Sequence, residues 1–169
     1  MFVGLLELAC PRRLVILHIR GRDTYSCEAS ALALRLMQKN VCPTQRIHLH
    51  CFTGTVDQVL SWSDAFPRCY FSISGLAARF DEVQKSAVRG NPADRLLVET
   101  DSLYLRVLSK RDNTPAYVGE VANTVAQIRK VTLRDILRTT AKTADVCITC
   151  RWSDTGNSLL ASRGSNHMR

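Results

Sequence analysis

Two periods of apolar residues alternate along the chain. Leu14-Val15-Ile16-Leu17-His18-Ile19-Arg20 is a short apolar run closed by the polar turn Gly21-Arg22-Asp23, and it predicts a strand over 14–19. From Cys27 to Lys39 the spacing changes: Leu32, Leu36 and Met37 with Ala29 and Ala33 follow a helical period that ends at Asn40. The same strand-then-helix pair recurs. A strand over 46–52 leads to a helix from Val56 to Ala65, with Thr55 as its N-cap and Pro67 as its stop. Cys69 to Gly75, rich in β-formers, predicts a third strand before a helix near Asp81 to Val88. Arg95 to Asp101 predicts a fourth, followed by a loop over 102–113 and a helix opened by Thr114 and Pro115. Before these units, 2–10 predicts the end of an amphipathic helix. After them, Thr132, paired in capping-box fashion with Asp135, opens a last helix to about Val146.

Successive strand-helix units imply an α/β fold with a parallel sheet and right-handed crossovers. Four such strands amount to half of an eight-stranded barrel and would leave two sheet edges open. In this fold class the rim at the strands' C-terminal ends is where active sites are built. Three predicted strands carry metal-binding residue types near that end: His18, the pair His48 and His50, and Glu99 with Asp101. On a strand, His48 and His50 point the same way, as do Glu99 and Asp101. A lone His-x-His is as readily a buried hydrogen-bonded pair as a ligand. Three strand ends offering His, His and Asp together suit a divalent metal.

Composition narrows the class. The chain has 169 residues, 46% hydrophobic and 22% charged, as expected for one globular domain. Its 23 Lys+Arg against 15 Asp+Glu give a formal charge of +8, which favours an anionic partner such as nucleic acid unless it is merely spread over the surface. Arg20, Arg22 and Arg106, close in sequence to the candidate ligands, add to the expectation of a phosphate-bearing substrate. Seven scattered cysteines read as reduced thiols of an intracellular protein, cytoplasmic or nuclear, and the lone Cys147-Ile148-Thr149-Cys150 reads as incidental. Glu7 interrupts the apolar N-terminal run and no basic segment precedes it, so no signal peptide is expected. No apolar run is long enough to span a membrane.

Leu17-His18-Ile19-Arg20, His50-Cys51-Phe52-Thr53-Gly54, Tyr70-Phe71-Ser72-Ile73-Ser74-Gly75 and Leu96-Leu97-Val98-Glu99-Thr100-Asp101 resemble, in order and spacing, the second half of the TatD family of metal-dependent deoxyribonucleases. The likeness covers roughly residues 2–148. It implies a TIM-type (β/α) barrel represented here by about strands 5–8, with magnesium, manganese or zinc at the strand ends. By the same resemblance His18, His50 and Asp101 bind metal, and Asp101 also takes the proton from the water that attacks a phosphodiester, DNA being the first expectation. Glu99, Arg20, Arg22 and Arg106 are substrate-side candidates.

The chain departs from the family at several places. The family's first-strand His-x-His and fourth-strand glutamate have no counterpart, and His48 stands where an apolar residue is usual. Leu103 replaces a proline and Thr143 an asparagine. The polar stretch 151–169 matches nothing in the family and reads as a disordered tail after a partial barrel over 1–150. Two expectations follow: a TatD-like hydrolase, or an inactive truncated form that at most binds nucleic acid weakly through its charge. Association with another chain would cover the open edges.

Overall fold

The structure is a computed structural model that describes residues 2–102, 104 and 112–149. Leu103, Arg106, Cys150 and the expected tail 151–169 lie outside the described residues. Four strands, β1 (Leu14–His18), β2 (Arg46–His50), β3 (Cys69–Ile73) and β4 (Leu96–Val98), form one parallel sheet in sequence order. The connecting helices are α2 (Cys27–Asn40), α3 (Val56–Ala65) and α4 (Glu82–Gly90), with α1 (Phe2–Leu6) before the sheet and α5 (Val118–Arg129) and α6 (Leu133–Ile148) after it. The expected alternation of strands and helices is therefore present in full.

Helix starts follow the chemistry of their caps. Thr55 accepts from the Gln58 amide at 3.4 Å, and Asp81 and Gln84 make a reciprocal capping box at the start of α4. At α6 the Thr132 hydroxyl accepts from the Asp135 amide at 3.1 Å and donates to its carboxylate at 2.6 Å. The start of α5 departs from expectation, while α2 begins at Cys27 as expected, with an unexpected cap. Pro115 opens a 3-10 turn, Pro115–Tyr117, ahead of α5, and the Thr114 side chain makes no cap bond. Ser26, just before α2, sits in left-handed backbone with φ 55°, so Asp23 takes over, accepting from the Tyr25 and Cys27 amides at 3.0 Å each. The first helix ends at Leu6 rather than 10, because the Leu8 and Ala9 amides turn back onto the Leu5 and Leu6 carbonyls before Pro11.

Pairing register assigns the strand residues to two faces. Val15, Leu17, Ile47, Leu49, Cys69, Phe71, Ile73, Leu96 and Val98 share the face that meets the helices. With Met37, Val59, Trp62, Phe66 and Val125 they form the main core, in which the Trp62 indole donates to Ser30 at 2.9 Å.

The opposite face carries Leu14, Ile16 and His18 on β1, Arg46, His48 and His50 on β2, Tyr70 and Ser72 on β3, and Leu97 on β4. Its lower part is covered by the end of α6: Cys147 and Ala144 pack on Tyr70, Leu97 and Leu14. Arg46, fully buried there, donates to the Cys147 and Ile148 carbonyls at 2.8 and 3.3 Å and to the Arg12 carbonyl. It thereby satisfies acceptors that a helix C-terminus leaves open. The upper part is left to the histidines.

Candidate metal centre

The strand-end residues converge around His50. Its Nε2 lies 3.0 Å from Glu99 Oε2 and 3.8 Å from Asp101 Oδ1. The His18 ring stacks against it, centroids 4.1 Å apart, because the register places His18 directly beside His50. His48 Nε2 lies 3.8 Å from Glu99 Oε2, so one carboxylate faces both histidines of the His-x-His pair. Side-chain exposures of 13–19% leave His48, His50, Glu99 and Asp101 reachable by solvent at the rim while shielding most of their surface.

Backbone geometry holds the carboxylates. Cys51 and Asp101 lie in left-handed backbone, φ 49° and 51°, a conformation that residues other than glycine rarely adopt and that clusters at functional sites. The turn at Cys51 directs its amide to Glu99 Oε1 at 2.6 Å. Its thiol donates to Asp101 Oδ2 at 3.4 Å. Asn113 fixes the second turn by donating to the Thr100 and Asp101 carbonyls at 2.6 and 3.3 Å. Burial, and then the Glu99 charge, pushes the Cys51 thiol well above its ordinary range, so it serves as a donor and not as a nucleophile.

His48 has a different role from His50. Its Nε2 meets the Ser72 hydroxyl at 2.7 Å, and that hydroxyl in turn reaches the Leu49 carbonyl at 3.3 Å. A hydroxyl has one proton to give. With that proton on Leu49, His48 donates through Nε2 and braces the sheet from inside. Burial first, with the His50 and His18 charges adding and Glu99 opposing, lowers its pKa and favours this neutral form.

A divalent ion fits these donors. His50 Nε2 and Glu99 Oε2, 3.0 Å apart, offer it nitrogen and oxygen ligands, while the nearby Cys51 thiol is turned to Asp101 as a hydrogen-bond donor. The short His50–Glu99 contact sets a ring nitrogen and a carboxylate oxygen close enough for one ion to take both as ligands. The second ring nitrogen of His50, Nδ1, is buried without a hydrogen-bond partner among the described residues.

The expected site residues separate into groups. His18, His50, Glu99 and Asp101 are brought together. Glu99 and Asp101 do meet at one site, though not by simple alternation: pairing stops at Val98, and the left-handed turn aims Asp101. Arg20 and Arg22 are exposed after β1, and neither is joined to the cluster by a hydrogen bond or ion pair among the described residues. Arg20 lines a groove with His18 along the outer side of β1. Cys51 and Ser72 were not expected. Ser72 is legible only through the register that sets β3 beside β2, while Cys51 stands next to His50 in the motif itself.

Histidines and carboxylates thus gather at the C-terminal ends of a parallel sheet, the rim on which (β/α) folds build their sites. The family model described as TatD related DNase matches residues 1–148, and the chain belongs to that family. It is 34% identical over 109 residues to the "Uncharacterized metal-dependent hydrolase MG009" of Mycoplasma genitalium, an alignment covering 60% of this chain and 41% of that protein. It is 31% identical over 107 residues to the human "3'-5' RNA nuclease TATDN2", covering 62% of this chain and 14% of that one. The crystal structure of an uncharacterized amidohydrolase from Saccharomyces cerevisiae superposes with TM-score 0.66 at 17% identity, over 87% of this chain and 58% of its own length. The chain thus spans less than two thirds of the length of each of these three proteins. Among the described residues no helix is long and apolar enough to cross a membrane.

Proposed function

We propose that the chain carries part of the metal centre of a phosphodiesterase acting on nucleic acid, with His18, His50, Glu99 and Asp101 as its working groups. The observation that carries this reading is the meeting of Glu99 and Asp101 on His50 at the C-terminal end of a parallel sheet. His50 and Glu99 hold the ion, with His18 beside them. When bound, a divalent ion acidifies water and offsets the charge that develops on a phosphoryl oxygen. Asp101, whose Oδ2 is steadied by the Cys51 thiol, accepts the proton from the attacking water. The Cys51 amide keeps Glu99 turned toward His50.

Nucleic acid is supported as substrate by the +8 charge of the chain and by the RNA nuclease name carried by one relative. DNA and RNA are both within this reading. Arg20 and Arg22, exposed beside His18, are the phosphate-side candidates. Among the described residues the outer edges of β1 and β4 have no strand beside them, which favours pairing with further strands from the same or another chain, and Ile16 on β1, 54% exposed, would be covered by it.

The test is hydrolysis of single-stranded DNA and RNA in manganese, magnesium or zinc, with Asp101→Asn and His50→Ala alongside. Loss of a positioned proton acceptor lowers the rate by about 10²–10⁴-fold. Cleavage that survives chelator, or that both variants carry out as fast as the parent, would overturn the reading. Salt-sensitive binding without cleavage would favour electrostatic association alone.

A further inference from the structure

The other end of the sheet holds a second concentration of chemistry. A cavity of about 550 Å³ opens where β3 and β4 begin, between the Pro67-Arg68 and Ala93-Asp94-Arg95 segments and one side of α6. Arg68, Arg95, Arg138 and Lys142 line it, against one carboxylate, Asp94. Arg68 and Arg95 reach the same end of the sheet because each stands just before its strand, although the register offsets them by two residues. Arg138 and Lys142 join them because they are one helical turn apart on α6.

The charges are incompletely matched. Asp94 lies 3.7 Å from Arg95 with its side chain 78% exposed, and Arg138 pairs with Asp135 at 2.7 Å. Arg68 and Lys142 make no ion pair among the described residues. Cations drawn together in this way repel one another, and an anion relieves the repulsion. Beside them the walls are Pro67, Ala93, Val146 and the buried Tyr70, a surface suited to a flat organic body, with the Thr139 hydroxyl at hand. The volume falls in the range of small-molecule sites, roughly 300–1,000 Å³.

We propose that this cavity binds the phosphate of a nucleotide, with Arg68 and Lys142 on the phosphate and the Pro67–Val146 wall against the base. It is separate from the strand-end donors, standing at the opposite end of strands that rise roughly 15 Å. It requires no metal. Its ligand is either a free nucleotide or the phosphorylated end of a strand, both offering the same group.

The experiment is calorimetric titration of the whole chain in excess chelator with adenosine 5′-monophosphate, a short 5′-phosphorylated oligonucleotide and, as control, adenosine. Binding of either phosphorylated probe but not adenosine is expected, unchanged in His50→Ala and weakened at least tenfold in Arg68→Gln/Lys142→Gln at unaltered Tm. Tighter binding of the oligonucleotide assigns the site to strand ends, and equal binding to free nucleotide. Should the double variant unfold, Lys142→Gln alone, at an exposed helix position, is expected to weaken binding severalfold. The proposal is overturned if no phosphorylated probe binds, if adenosine binds equally, or if the folded variants bind like the parent. None of these outcomes bears on hydrolysis at the strand ends, so the two readings fail separately.

Discussion

The two faces of the sheet are built from alternate residues of the same strands and follow opposite rules. The helix-facing side is uniformly apolar: Leu49, Phe71, Ile73 and Leu96 are each no more than 2% exposed. The other side places Arg46, His48 and His50 along β2 and Ser72 beside them on β3. On the first face a neighbour need only have the right shape. On the second each polar group needs a named partner, because burying one without a hydrogen bond is costly. Interchangeable contacts make the first face robust, and specific ones make each partner on the second face matter individually.

Removing bulk from the apolar face should have the largest effect on stability. Phe71→Ala is expected to cost about 3–5 kcal/mol, read as a lower urea midpoint with unchanged slope. On the polar face Arg46→Met leaves the last carbonyls of α6 without donors. It is expected to cost about 2–3 kcal/mol, with faster hydrogen exchange at the end of α6. Equal costs for Arg46→Met and an exposed control such as Arg134→Met would erase the distinction between the faces. Ser72→Ala removes the hydroxyl shared by His48 and the Cys51 amide; about 1 kcal/mol is expected, together with a shifted His48 ring signal by NMR.

The smallest effect is one of pH. Burial holds the folded pKa of His48 below its ordinary 6.5. The unfolded chain therefore takes up the proton first on acidification. The contribution is complete above pH 6.5 and is lost as pH falls through the lowered folded value. His48→Leu should flatten the dependence of stability on pH in that window. An unchanged slope would mean that other groups set it.

Much of this was legible in the chain. Apolar runs ending in histidine or carboxylate located three of the four strands and a run of β-formers the other, and the helix from about Val56 to Ala65 was readable because Thr55 and Pro67 bracket it. The meeting of His18, His50 and Asp101 followed from their places at strand ends. Less legible were features that depend on partners distant in sequence. That His48 would bind Ser72 requires the β2–β3 register, which no single strand encodes. The left-handed turns at Cys51 and Asp101 carry no glycine to announce them. Surrounding contacts hold these turns in place, the Cys51 amide on Glu99 and the Asn113 side chain under Asp101, and such contacts exist only once the sheet has formed.

The Cys51 turn has a consequence for what this position tolerates. The bond that orients Glu99 comes from the main chain, so the identity of side chain 51 is secondary to the shape of its backbone. Glycine or asparagine, at ease with positive φ, would keep the amide aimed at the carboxylate, whereas valine or isoleucine would turn it away and proline would remove the donor. Sequence drift at this position is therefore filtered by conformation before chemistry, and a cysteine there is as replaceable as its thiol contact to Asp101 allows.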